Sequence, residues 1–220
     1  AGGKPAEHYA RAANYPSTFY GQLASAKLDR RSLAITYPQP SAQDRARFAA
    51  REAVQAIRKL EDAGMQWRAD ILYRALAAEL DNPGELAILA AMAEKRGEHQ
   101  ISLQVGKVAW NRGLDVAALA YPLGAVPAGA NINGSGKALA YSIARQESAF
   151  NKAAISPANA RGLLQILPGT AKAVAARHGL PYSKDRLTSD AGYNATLGAH
   201  FLGEQISEFG GSYILTFIAY

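Results

Sequence analysis

The sequence predicts a mostly all-α protein in two parts, an α-superhelix of helical hairpins followed by a second, mainly helical region. Three observations lead there. From Ser41 to about Gly113 the chain strings together Ala-, Leu-, Arg- and Glu-rich segments of about four turns each, separated by stop signals, with strand patterns nearly absent. Ala63-Gly64 and Arg96-Gly97 lie 33 positions apart with two helical segments between them, the spacing expected of helix-hairpin repeats. Between Tyr121 and Gly136 the run YPLGAVPAGANINGSG is too rich in proline, glycine and asparagine for a regular helix. That run is the expected boundary, dividing the chain into residues 1–125 and 126–220.

Taken in order, Tyr9, Tyr15, Phe19 and Tyr20 form an aromatic patch, expected to pack between hairpins in preference to lining a sugar-stacking surface. Ser41 with Asp44 resembles a capping box, and Gly64 closes the helix begun there. Asn82-Pro83-Gly84-Glu85 supplies an N-cap, an N1 proline and an acidic first turn, and Gly97 and Gly113 mark further ends. Trp67, Leu72, Leu76, Leu80, Leu86, Leu89 and Trp110 are the predicted seam residues. After the boundary come a helix from about Lys137 to Phe150, a loop to about Arg161 and a helix after Pro168-Gly169-Thr170. A further helix runs from about Ala191 to Phe209, and a last one follows Gly210-Gly211-Ser212.

A composition of 49% hydrophobic and 19% charged residues suits a globular protein in water. No run approaches the roughly 18 apolar residues of a membrane span, and AGGKPAEHY lacks the layout of a signal peptide, so the leader is missing or the chain is cytosolic. Without cysteine there is no disulfide framework and no thiolate metal site or thiol nucleophile. The net charge of +6 is spread along the chain, which favours a solvated basic surface over a nucleic-acid interface. His8, His99, His178 and His200 show no short ligand spacing, so no metal is expected. NINGSGKA departs from a phosphate loop at Asn131 and Ala138, and no GxSxG elbow occurs.

One helix carries the chemistry. In ALAYSIARQESAF the apolar Leu139, Ile143 and Phe150 recur at helical spacing, and Glu147 falls in the same sector, on the face expected to be buried. An ionised carboxylate is costly to desolvate alone, so such a glutamate either pairs with a base, Arg145 or Arg161 among the candidates, or keeps its proton and acts as a general acid.

The stretch ARQESAFNKAAISPANARGLLQILPGTA shifts the balance toward the second. It resembles the catalytic domain of the soluble lytic transglycosylases, in which ES is followed by S-P and then by GLMQI-P-T-A. The resemblance implies a lysozyme-like catalytic domain over residues 126–220, preceded over 1–125 by part of a ring-type α-superhelix, to which EHYARAANYPSTFYGQLA is similar. It implies Glu147 as catalytic acid and base, with Ser156 and Gln165 bonding the sugars or their N-acetyl groups. Leu167 would face the cleft where the family often has Met, and Tyr220 would open the AYNAG motif beside the glutamate. Ser156 and Gln165 have an ordinary alternative as loop caps.

The same resemblance implies cleavage of peptidoglycan between N-acetylmuramic acid and N-acetylglucosamine in the periplasm, without cofactor. Glycosidases ordinarily use two carboxylates, and none of Asp185, Asp190, Glu204 and Glu208 is tied by the sequence to Glu147. The implied route uses one carboxylate and ends in a 1,6-anhydro ring. A goose-type hydrolase and a helical binding scaffold stay open as alternatives, as does membership of a cell-wall synthesis or secretion complex. Because the chain stops within the AYNAG pattern, the catalytic domain is expected to be truncated and the chain weak or inactive alone.

Overall fold

The computed structural model describes residues 4–30 and 35–220. The chain divides into two compact units, residues 1–92 with 104–121 and residues 93–103 with 122–220. No helix among the described residues is long and apolar enough to cross a membrane.

The first unit is built from helices arranged as hairpins. Helix α1 (Pro5–Ala12) pairs with α2 (Phe19–Lys27), whose first turn is capped by Thr18 Oγ1 accepting from the Gly21 amide at 3.0 Å. Helix α3 (Ala42–Ala50) opens on the expected capping box, Ser41 and Asp44 bonding reciprocally. The single helix expected from Ser41 to Gly64 is broken in two at Arg51, which is extended (φ −66°, ψ 131°) before α4 (Glu52–Asp62). The cause lies outside the segment. Arg51 donates to both oxygens of Glu85, at 2.9 and 3.0 Å, and Arg47 adds a third contact, so the buried Glu85 carboxylate sits below its ordinary proton affinity.

Helix α5 (Gln66–Glu79) follows Gly64, which takes a left-handed φ of 70° that an L-residue resists. Its last carbonyls, those of Ala77 and Leu80, accept from the Arg112 guanidinium. Helix α6 (Pro83–Lys95) is capped by Asn82 as expected, its Oδ1 accepting from the Glu85 amide at 2.8 Å, and α7 (His99–Asn111) leads to a short 3₁₀ turn at Ala117–Ala120.

The core of this unit corrects part of the sequence reading. Leu76, Leu80, Leu86 and Leu89 are buried, joined by Phe48, Ile57 and Tyr73. Trp67 is 64% exposed, with the Arg68 guanidinium over its ring, and Leu72 and Trp110 are half-buried. Trp67 sits in the first turn of α5, pointing away from the seam. The aromatic patch was expected to pack, yet Tyr9, Tyr15, Phe19 and Tyr20 are all exposed.

The second unit is organised on α11 (Ala191–Glu208), which packs against α8 (Lys137–Ser148), α9 (Pro168–Arg177), α10 (Arg186–Ser189) and α12 (Tyr213–Ala219). Its buried face, Tyr193, Asn194, Ala195, Leu197, Gly198, Ala199 and Leu202, is made of small and medium side chains that let neighbouring backbone come close. At Gly198 the Leu164 side chain occupies the space a Cβ would need. The stretch 121–136 holds no helix, and 149–167 has only two isolated bridges, Ile155 with Arg161 and Arg161 with Ile166.

Candidate active site

Glu147 is the penultimate residue of α8. The expectation that it shares the buried face with Phe150 is corrected. The helix stops at Ser148, and Ala149 and Phe150 both take left-handed conformations (φ 50° and 65°), so Phe150 is off the helix and enters the core by a different route. The buried residues of α8 are Leu139, Ala140, Ala144 and Ser148, and over its last two turns the buried stripe runs one position away, which leaves Glu147 exposed. Among the described residues no ion pair forms at its carboxylate, and Arg161 donates instead to Asn159 Oδ1 at 3.0 Å. The salt-bridge role left open for Glu147 is therefore not taken up by Arg161.

The helix end is fixed from below. Ser148 Oγ lies 3.0 Å from the Ala144 carbonyl and 2.8 Å from that of Leu163, and it donates to them. Phe150 is 4% exposed, set edge-on to Tyr141, whose hydroxyl donates to the Leu123 and Val126 carbonyls. Four residues between 149 and 165, Ala149, Phe150, Asn159 and Gln165, are non-glycine residues with positive φ. Such conformations persist only where the surroundings hold them, and they gather at functional sites.

Asn194 does most of that holding and was missed in the sequence. Fully buried in the first turn of α11, its Oδ1 accepts from the Leu164 amide at 2.9 Å while Nδ2 donates to the carbonyls of Arg161 and Leu187 at 2.8 and 3.0 Å. Gly162 passes so near this amide that a Cβ would stand 2.3 Å from Nδ2, and its φ of 73° excludes other residues independently. The available signal was an asparagine inside an otherwise apolar helical run, where a side chain that competes for backbone bonds is unfavourable unless it has buried partners.

The other predicted residues lie along this stretch. Ser156 Oγ accepts from the Ala160 amide at 3.0 Å, closing its own turn. Gln165 Nε2 donates to the carbonyls of Gly162 and Ala154, at 2.8 and 3.3 Å, so its amide nitrogen braces the loop. Leu167 is exposed and caps α9. Tyr220 donates to the Leu164 carbonyl and tilts against Phe201 at 5.5 Å. Burial, followed by the charge of neighbouring Glu147, pushes its phenol far above the ordinary range, so it remains protonated at neutral pH. Glu147 and Tyr220 are thus neighbours, joined through Ser148 and Leu164 to the loop that carries Gln165.

Of the acids weighed as a second carboxylate, Asp185 is exposed and makes no side-chain cap, and the other three have partners. Asp190 caps α11 through the Tyr193 amide and pairs with Arg186, and Glu204 pairs with Arg177 and His178, so both are held below the usual carboxylate range. Glu208 accepts from Gln205. Lys137 begins α8 with its ammonium over the Tyr141 ring. Among the described residues no cluster of three or more His, Asp or Glu is arranged to hold a metal.

A solvent-open glutamate at the end of a helix, beside a protonated tyrosine and a strained loop, occurs within the stretch that the Transglycosylase SLT domain family matches, residues 125–220. Residues 125–220 match that family's model. Relatives reach across both units. A Haemophilus influenzae protein assigned as a soluble lytic murein transglycosylase is 31% identical over 209 residues, 92% of this chain and 34% of that one. The Escherichia coli soluble lytic murein transglycosylase is 39% identical over 82 residues, 37% of this chain and 13% of its own. An inactive mutant of the lytic transglycosylase Slt from Pseudomonas aeruginosa shares the fold with a TM-score of 0.73 at 24% identity, over 96% of this chain and 34% of that one. The 70 kDa soluble lytic transglycosylase of Escherichia coli does so with a TM-score of 0.66 at 23% identity, with the same coverage. The chain spans about a third of the length of the first of these relatives. The all-α reading, with helical hairpins before the SLT domain, agrees with both folds.

Proposed function

We propose that the chain works as a periplasmic lytic transglycosylase on peptidoglycan, with Glu147 as the only catalytic carboxylate. The observation that carries this reading is Glu147 itself. It stands open to solvent with no ion pair among the described residues, within the SLT domain and beside a tyrosine that keeps its proton.

In this reading a glycan strand laid over α8 and the 154–167 loop desolvates the Glu147 carboxyl and favours its protonated form. Glu147 gives that proton to the glycosidic oxygen as the bond to C1 of N-acetylmuramic acid breaks, and the sugar's own acetamido group supports the positive charge. The carboxylate so formed takes the proton of the C6 hydroxyl of the same sugar. The C6 oxygen bonds to C1, which leaves a 1,6-anhydro ring and returns Glu147 to its starting state. No water is consumed, so no second carboxylate is required, and Asp190 and Glu204 are engaged elsewhere. In this reading Tyr220, close enough to feel the Glu147 charge, borders the carboxyl, and Ser156 and Gln165 retain the Ser hydroxyl proton and the Gln Oε1 for sugar groups.

The test is mass spectrometry of purified sacculi incubated with the protein, with a version lengthened past Tyr220, and with Glu147→Gln in the lengthened version. Anhydromuropeptides that disappear in the variant support the reading. Ordinary reducing ends move it to a hydrolase, and no product from any of the three moves it to a glycan-binding scaffold.

A further inference from the structure

The first unit contains a cavity of about 580 Å³ between two turns, within the size range of small-ligand sites. One wall is Asn14–Ser17, the other Trp110–Asp115. Both are held in place. The Tyr15 carbonyl accepts from the Thr18 hydroxyl and amide, and α2 approaches it so closely that a Cβ on Gly21 would stand 1.9 Å away. The opposite wall is pinned by Arg112, bonded to the α5 carbonyls.

The lining is of mixed chemistry. Tyr15 is 63% exposed and Trp110 half-buried, which gives two aromatic faces. Arg30 and Asp115 are exposed and form no ion pair among the described residues. Asn14 adds an amide, and the Ser17 hydroxyl oxygen is buried with no hydrogen-bond partner, a condition native structures generally avoid. Ser17 is itself one of the residues that line the cavity.

We propose that this cavity binds one N-acetylated amino-sugar residue of a glycan strand, at a site separate from Glu147. The proposal rests on the peptidoglycan reading above for the identity of the glycan. A sugar ring offers an apolar face to Trp110 or Tyr15, hydroxyls to Asp115 and Arg30, and an acetamido group to Asn14 and Ser17. A purely apolar ligand would leave both charges and the buried hydroxyl unsatisfied.

The chain has two tryptophans, so Trp67→Phe makes Trp110 the sole indole reporter. Combined with Glu147→Gln to prevent turnover, this protein is titrated with N-acetylchitotetraose and separately with a free stem peptide. The expected result is a saturable change in Trp110 emission with the sugar alone, weakened about tenfold by Tyr15→Ala and by Asp115→Asn without change in far-ultraviolet circular dichroism. A silent Trp110, equal affinity in both variants, or a response to the peptide alone overturns the proposal. Anhydro products from the Glu147-bearing protein with a silent Trp110 remove the pocket and leave the catalytic reading standing. A responding Trp110 with no such products does the reverse.

Discussion

In the first unit the described backbone is mostly helical, and helix ends are closed by caps such as Ser41, Asn82 and Arg112. In the stretch 149–167 of the second there is no helix, and turn and bridge bonds of the backbone are supplemented by the side chains of Ser148, Asn194 and Gln165. The difference separates two ways of specifying structure. A hairpin array distributes its stability over many similar contacts and tolerates single losses. A strained loop held by a few buried bonds does not, and in exchange it presents side chains beside Glu147 in a fixed geometry.

Asn194→Ala should show that contrast most strongly. It removes the partners of the Leu164 amide and the Leu187 carbonyl and one of the two donors to the Arg161 carbonyl, so urea denaturation should report a loss of about 3–5 kcal/mol. A loss below 1 kcal/mol would show that the loop is held by something else. Arg51→Ala is the matching cut in the first unit. It leaves buried Glu85 with Arg47 alone, and a loss of about 2–3 kcal/mol is expected, with glycan cleavage unaffected.

Acid should weaken the second unit before general carboxylate protonation begins. Burial, followed by neighbouring His178, lowers the proton affinity of His200, while Glu204 opposes this and Arg177 is paired with Glu204. Because the folded value is depressed, the unfolded chain binds the proton first. Stability is therefore complete above about pH 6.5 and declines as pH falls from there through the folded value. His200→Gln should flatten that slope in thermal melts between pH 7 and 5, and an unchanged slope would assign the acid sensitivity elsewhere.

Ala149→Gly relieves a left-handed alanine and should raise the unfolding free energy from urea denaturation by about 1 kcal/mol while loosening the residue two positions after Glu147 and slowing cleavage. Trp67→Ala, at an exposed position, should change stability by less than about 0.5 kcal/mol.

Signals confined to a few neighbouring residues were legible in the sequence. The capping box at Ser41, the Asn82 cap, the glycine stops at Gly64, Gly97 and Gly113, and the starts of α8, α9 and α11 all lie where local chemistry put them. What failed depended on partners distant in sequence. No breaker residue marks Arg51, since its extended backbone follows from a carboxylate 34 positions away. Periodicity carried Phe150 onto a helix that ends two residues earlier, and this put Glu147 on the wrong face. Hydrophobicity alone assigned Trp67 and the four amino-terminal aromatics to the core, although exposure depends on which face a neighbour covers. Glu147, Gln165 and Tyr220 were found through resemblance to a family, and their neighbourhood through Ser148 and Leu164 became visible only in three dimensions.

The central claim is that Glu147 drives an internal attack by the substrate's own hydroxyl. Digesting sacculi in ¹⁸O-labelled water, with Glu147→Gln as the control, tests it most directly. New glycan ends that carry no label and vanish in the control are the predicted result; label at the new C1 would mean that water is the nucleophile and would contradict the account.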